Sequence, residues 1–202
     1  MVGNDIVDIK ETKRSTNWER RGFLQKIFTA EEQGIIANAK DTFTTIWHLW
    51  SLKESAYKVF IQAGGSRFFN PTKIECFIDY SSYNSLSGKV KIGNFNCSTT
   101  TSIRQDYIFS TATLNCIEVK TNIFKLPEEN TQQQSIFMYE QLLNDFAINN
   151  NLIRKVLSLE KTSTGVPQIY YKSNPINHSI SITHHGKYGA YSILEPTEEL
   201  IK

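Results

Sequence analysis

At Pro71 the hydrophobic rhythm of this sequence changes from about 3.6 residues to two, and that change constrains the fold more than any other feature. Upstream, Ile46, Leu49, Trp50, Ala56, Tyr57 and Phe60 recur at helical spacing from about Thr44 to Gln62, and Ala63-Gly64-Gly65 ends the run. Downstream, KIECFIDY, GKVKIGNF, NCSTTTSI and DYIFSTATLNCIEV alternate and are parted by Ser, Asn and Gly turns, the pattern of an antiparallel meander. A long helix with one apolar stripe and a meander with one apolar face can each bury the other.

The rest of the chain repeats this layout. Residues 2–9 read as a short buried strand, and KETKRSTNWERR as a polar loop or irregular helix entry. Thr29 and Glu32 form a capping box that opens a helix to about Ala39. Residues 121–130 read as a connector into a helix from about Thr131 to Leu159, with a break at Asn149-Asn150-Asn151. PQIYYK, HSISITHH and YGAYSIL follow as strands. The expected fold is α+β: two similar subdomains in a pseudo-twofold arrangement, residues 1–125 and 126–202, each a helix packed on a small antiparallel sheet.

Composition excludes several classes. With 40% hydrophobic, 12% aromatic and 21% charged residues over 202 positions, the chain is neither disordered nor collagenous. No apolar run exceeds four residues, so no membrane helix is expected, and MVGNDIVDIK lacks the basic-then-apolar pattern of a secretory signal. A cytoplasmic protein without a membrane partner is the expectation. A balance of 22 basic and 20 acidic residues argues against a nucleic-acid partner but allows a local cationic pocket. Cys76, Cys97 and Cys116 are widely spaced with no CxxC pair, so neither a disulfide framework nor a zinc site is expected.

Three groups of residues sit awkwardly in a bland core. On a strand over residues 2–9, Asp5 shares a face with Gly3, Val7 and Ile9; a carboxylate there needs a partner or a metal, unless it only caps a turn at the strand end. Trp47, Trp50, Glu54, Lys58 and Ile61 share one helical stripe. That places Glu54 and Lys58 side by side, as an ordinary surface ion pair or as half-buried site groups. Ser181-Ile182-Thr183-His184-His185-Gly186-Lys187 runs from a strand into a glycine turn, either a surface hairpin or a phosphate cradle. His184 and His185 point to opposite faces and would not chelate one metal together.

Taken together, Gly3-Asn4-Asp5-Ile6-Val7-Asp8-Ile9, Trp50-Ser51-Leu52-Lys53-Glu54-Ser55-Ala56-Tyr57-Lys58 and Ser181-Ile182-Thr183-His184 resemble the signatures of the 4′-phosphopantetheinyl transferase superfamily. Phe28-Thr29-x-x-Glu32, Gly64-Gly65 with Pro71, and Gly165-Val166-Pro167 resemble its supporting motifs. The aspartate motif leads, as in the holo-acyl-carrier-protein synthases, whereas the segment through Ser181 to His184 looks like the N-terminal half of the surfactin-synthetase-activating type. The two halves thus stand in permuted order.

The resemblance implies transfer of phosphopantetheine from coenzyme A to a serine of an apo acyl or peptidyl carrier protein, as in fatty-acid synthesis, with release of adenosine 3′,5′-bisphosphate. It implies Mg²⁺ on Asp5 and Glu54, with Asp5, Glu54 and Lys58 catalytic and Glu54 or a water it orients as base for the serine proton. Lys53, Lys58, Thr183, His184 and Lys187 would bind coenzyme A, and His185 would tolerate alanine. A monomer is expected because both halves of the site lie in one chain.

Two departures stand out. Val7 occupies the place of a third carboxylate, which Asp8, facing the other way, cannot replace; Val166 occupies the place of a lysine, for which Lys161 or Lys187 would have to compensate. A Mg²⁺-dependent phosphohydrolase of a nucleotide and a non-catalytic module for coenzyme A or a carrier protein are the competing readings.

Overall fold

A computed structural model describes residues 1–79, 86–114, 119–127 and 130–195. Side-chain caps set the N-terminal helices. Asp8 ends β1 (Val2–Asp8) and accepts from the Glu11 amide at 3.0 Å, turning the chain directly into α1 (Ile9–Ser15). After α2 (Phe23–Ile27), the expected capping box opens α3 (Ala30–Ala37): Thr29 Oγ1 accepts from Glu32 N at 3.2 Å and Glu32 Oε2 accepts from Thr29 N at 2.9 Å. Asp41 caps α4 (Thr42–Gln62), two residues ahead of the expected start.

The meander is β2 (Ile74–Asp79), β3 (Leu86–Ile92), β4 (Phe95–Ile103) and β5 (Tyr107–Thr113). With β1 it forms a five-stranded antiparallel sheet in the order β1-β5-β4-β3-β2. Ile46, Leu49, Leu52, Ala56 and Val59 of α4 are buried against Val90, Cys97, Ile108 and Ala112 of that sheet. Each fully buried aliphatic side chain contributes about 1.5–3 kcal/mol. Cys76 and Cys97 are buried free thiols, as expected of strand hydrophobes, and Cys116 lies outside the described residues.

In the second half α5 (Thr131–Asn149) buries Leu142, Phe146 and Ala147 against Leu157, Ile169, Ile180 and Tyr191. Those residues come from two three-stranded sheets. One has the order β10-β11-β6, from β6 (Lys120–Lys125), β10 (Ser179–His185) and β11 (Tyr188–Leu194). The other has the order β7-β8-β9, from β7 (Leu157–Lys161), β8 (Pro167–Tyr171) and β9 (Asn174–Pro175). The molecule is therefore α+β, two unequal helix-on-sheet units, and no helix among the described residues is long and apolar enough to cross a membrane.

Two expectations are corrected. The supposed connector contains β6, whose partner β11 lies more than sixty residues along the chain, too remote for local pattern to reveal. By sheet membership β6 goes with the second half, although the expected division falls after it. The helix does break at Asn149-Asn150-Asn151, where Asn151 takes the left-handed φ of 53°, but it does not resume to Leu159: Leu157 and Leu159 alternate into the pairing with Tyr171 and Ile169.

Candidate active site

The site begins with the closest approach of helix to strand. A Cβ on Gly3 would stand 2.0 Å from the Ser55 carbonyl oxygen, so only glycine lets α4 lie directly on β1. Two residues on, on the same face, Asp5 meets α4 where Glu54 and Lys58 project. Asp5 Oδ1 is 4.0 Å from Lys58 Nζ and accepts from Thr183 Oγ1 at 3.3 Å.

Thr183 belongs to a seam that joins the two halves without a shared backbone ladder. The amides of Val2, Asn4, Ile6 and Asp8 donate to Ser179 Oγ, Ser181 Oγ, Thr183 Oγ1 and His185 Nδ1 at 2.7, 2.9, 3.3 and 3.0 Å. The constant offset of 177 residues means that β1 and β10 run parallel, with alternate side chains of β10 taking the place of a neighbouring strand's carbonyls. On the carbonyl side α4 closes the gap. Gln62 Nε2 donates to Val2 O at 2.7 Å and Ile180 O at 3.1 Å, and Lys58 Nζ donates to Asn4 O at 2.6 Å and Ile182 O at 3.5 Å.

Beside this seam opens a cleft of about 350 Å³. The first half lines it with Glu54, Tyr57, Lys58 and Arg67; the second with Lys161, Gly165, Val166, Tyr139 and His184. Asp5, at the seam, lies 4.0 Å from Lys58 Nζ and feels the charge of Glu54. The structure thus brings together Asp5, Glu54, Lys58 and His184, and Lys161 stands among them. A larger hollow, about 790 Å³, lies over the other face of the five-stranded sheet, and none of the carboxylates or histidines named for the site lines it.

Other expected site residues are elsewhere. Lys53 is 1% exposed, with Nζ 2.7 Å from Glu32 Oε2 and donating to Pro71 O at 2.9 Å and to Ile74 O. It anchors the helix in the core rather than facing a ligand. The Thr183 hydroxyl is spent on Ile6 N and Asp5, not on the cleft. Lys187 is exposed in the turn after β10, where its amide donates to Asp8 Oδ2 at 2.9 Å; it does not line the cleft. His185, expected to be dispensable, holds the Asp8 amide. Asp8 is consumed by the α1 cap and the Lys187 amide, so it supplies no third carboxylate to the site. Gln62, Asn4 and Arg67 were not singled out from sequence, although 54, 58 and 62 continue one i,i+4 row that could have drawn attention to Gln62.

Burial dominates the electrostatics. It pushes the Asp5 carboxyl up to about 7, against the pull of Lys58 and with a further push from the Glu54 charge. Glu54 is also raised by burial, and Lys58 lowered by it. Burial, Lys58, His185 and Lys161 together hold His184 below the usual imidazole value, so at neutral pH it is an uncharged donor in cationic surroundings. Two crowded carboxylates with one long ion pair form a hard oxygen donor set that suits a small divalent cation. Among the described residues no cluster of three or more His, Cys, Asp or Glu adds to it.

Comparison with known proteins bears on this arrangement. The family model of the 4′-phosphopantetheinyl transferase superfamily matches residues 1–112. The crystal structure of Thermotoga maritima holo-[acyl-carrier-protein] synthase is similar over 86% of this chain and 83% of that chain, with 16% sequence identity and a TM-score of 0.42. No curated protein matches.

Proposed function

Because this chain belongs to the 4′-phosphopantetheinyl transferase superfamily, we propose that it transfers phosphopantetheine from coenzyme A to a serine of an acyl or peptidyl carrier protein. The observation that carries the reading is the convergence of Glu54 and Lys58 from one half with His184 from the other on a single cleft, with Asp5 at the seam 4.0 Å from Lys58 Nζ. In the reaction the carrier serine oxygen bonds to the phosphorus that bears pantetheine, the bridging P–O bond breaks, and adenosine 3′,5′-bisphosphate leaves with that oxygen.

The residues divide the work. Asp5 and Glu54 would hold Mg²⁺, which when bound neutralises charge on the pyrophosphate. Thr183 keeps the Asp5 carboxylate turned toward α4. Lys58 has three N–H donors, of which two face Asn4 O and Ile182 O, leaving one for a phosphate oxygen. Glu54, raised by burial, or a water that it orients, accepts the serine proton. An anion at the adenosine end would oppose the burial and the neighbouring cations that lower His184, and would favour a proton on it.

The test is mass spectrometry of a panel of apo carrier proteins incubated with the protein, coenzyme A and Mg²⁺. A gain of one phosphopantetheine on any of them is expected. Hydrolysis of coenzyme A with no carrier modified would replace this reading by a phosphohydrolase, and binding without turnover by a non-catalytic module.

A further inference from the structure

Four hydrophilic side chains of α4 are buried: His48, Ser51, Lys53 and Ser55. Three are spent inside the first half. His48 Nε2 lies 3.1 Å from Thr101 Oγ1, Lys53 Nζ pairs with Glu32, and Ser55 Oγ donates to Leu52 O at 3.0 Å. Ser51 is turned to the site instead. Its Oγ lies 3.5 Å from the Asp5 main-chain oxygen, and its hydroxyl also reaches the Asp5 carboxylate. Of these two acceptors the carboxylate takes the hydrogen once it is ionised, because the main-chain contact is long and a charged acceptor is the stronger.

That second donor matters for the shape of the site. Asp5 Oδ1 already accepts from Thr183 Oγ1 at 3.3 Å. One donor fixes one oxygen but leaves the carboxylate free to turn about its Cβ–Cγ bond, a torsion with broad preferences. A donor from a different element removes that freedom. Thr183 comes from β10 in the second half and Ser51 from α4 in the first, so each half holds the same carboxylate. Ser51 is also three residues before Glu54 and seven before Lys58, on one helical stripe, so the rotation of α4 that aims Glu54 also seats Ser51 on Asp5.

Resting on the reading of Asp5 and Glu54 as ligands of a divalent cation, we infer that Ser51 is a positioning residue that, with Thr183, locks the Asp5 carboxylate in one orientation beside Glu54. Its action is through Asp5. Removing a hydrogen-bonding partner from behind a ligand typically costs ten- to a hundredfold in metal affinity, and with Thr183 still in place the lower end, about tenfold, applies.

The test is titration of the protein with Mn²⁺ in the presence of coenzyme A and without carrier, free Mn²⁺ being read by electron paramagnetic resonance. Ser51→Ala is expected to weaken Mn²⁺ about tenfold, and the half-saturating Mg²⁺ of transfer to rise by the same factor. Ser55→Ala deletes the same atom from an equally buried position on the same helix and is expected to change the affinity by less than about twofold. Asp5→Asn should abolish binding. Unchanged affinity in Ser51→Ala, or equal weakening by the two alanine variants, would overturn the inference, the second outcome because it reports a general loosening of α4. A parent protein that binds no Mn²⁺, or Asp5→Asn binding as the parent does, would overturn the metal assignment and this inference with it. Carrier modification separates the remaining failures: transfer by the parent alongside unaltered Mn²⁺ affinity in Ser51→Ala sinks only the Ser51 assignment, and no transfer sinks the transferase reading.

Discussion

As a ligand of the proposed Mg²⁺, Asp5 would meet opposed demands, since it would have to be ionised to hold a cation while burial and Glu54 keep its proton on up to about 7. Metal binding then competes with protonation, and each pH unit below about 7 lowers apparent metal affinity about tenfold. The rise in Tm produced by Mg²⁺ is expected to be larger at pH 8 than at pH 6. Asp5→Asn should remove that rise and abolish transfer while circular dichroism stays unchanged. An equal Mg²⁺ shift at the two pH values would break the link between Asp5 and the metal. Without metal the same group makes the fold lose stability as pH climbs from 3.8 toward 7, because the unfolded aspartate ionises first. His185 tests the seam. Its removal strands the buried Asp8 amide, so His185→Ala should cost about 1–3 kcal/mol in urea unfolding. His184→Ala, by contrast, should leave stability nearly intact and raise KM for coenzyme A more than it lowers kcat. Full stability of the His185 variant would show that the seam does not depend on that hydrogen bond.

At the scale of elements, α4 faces two environments through adjacent residues about 100° apart. Glu54 looks into the cleft; Lys53 looks into the core, where Glu32 binds it, completes the α3 capping box and accepts from the Cys76 amide at 2.9 Å. This one carboxylate ties three elements together and fixes the rotation of α4, and hence the aim of Glu54. Lys53→Ala leaves Glu32 buried without its cation and should cost about 3–5 kcal/mol of stability by denaturant unfolding. A change below about 1 kcal/mol would mean that the core does not depend on the Lys53–Glu32 pair. Farther up the same helix, His48 Nε2 lies 3.1 Å from Thr101 Oγ1, and burial pushes its pKa down to about 4. An unfolded histidine protonates near 6.5, so the unfolded state binds more protons between those values and the fold weakens as pH falls through that window. The difference in stability between the parent protein and His48→Gln is expected to move by up to about 3 kcal/mol against the parent from pH 7 to pH 4. A pH-independent difference would show that His48 is not buried as a neutral group. Asp5 gives the opposite slope over part of this range, which is why the comparison with the variant, not the parent curve alone, is the measurement.

For the whole molecule, the cleft takes groups from both halves of one chain, so the proposed site is complete without a neighbouring subunit. Sedimentation is expected to find a monomer near 23.2 kDa, and a stable trimer would contradict a site completed within the chain. How much of this was legible follows from the range of each interaction. The α4 helix, the Thr29–Glu32 box and the meander depend on residues a few positions apart, whose periodicity and caps are written in the sequence. The aspartate, KE and histidine motifs were legible as residue types, since hard-cation and phosphate chemistry restricts which side chains serve. What the sequence could not show was orientation. Lys53 and Glu54 look equivalent in a motif, yet the packing of α4 on Gly3 buries one and presents the other. Thr183 and His184 are neighbours, yet the pairing of β10 with β1 gives one to the seam and the other to the cleft. Strand β6 and the crossing of Arg67 to Thr164 were invisible because their partners lie about 60 and 97 residues away. The sequence by itself determined the local elements and the chemistry available; only the tertiary structure, through steric fit and the satisfaction of buried polar groups, decided which of those groups face one another.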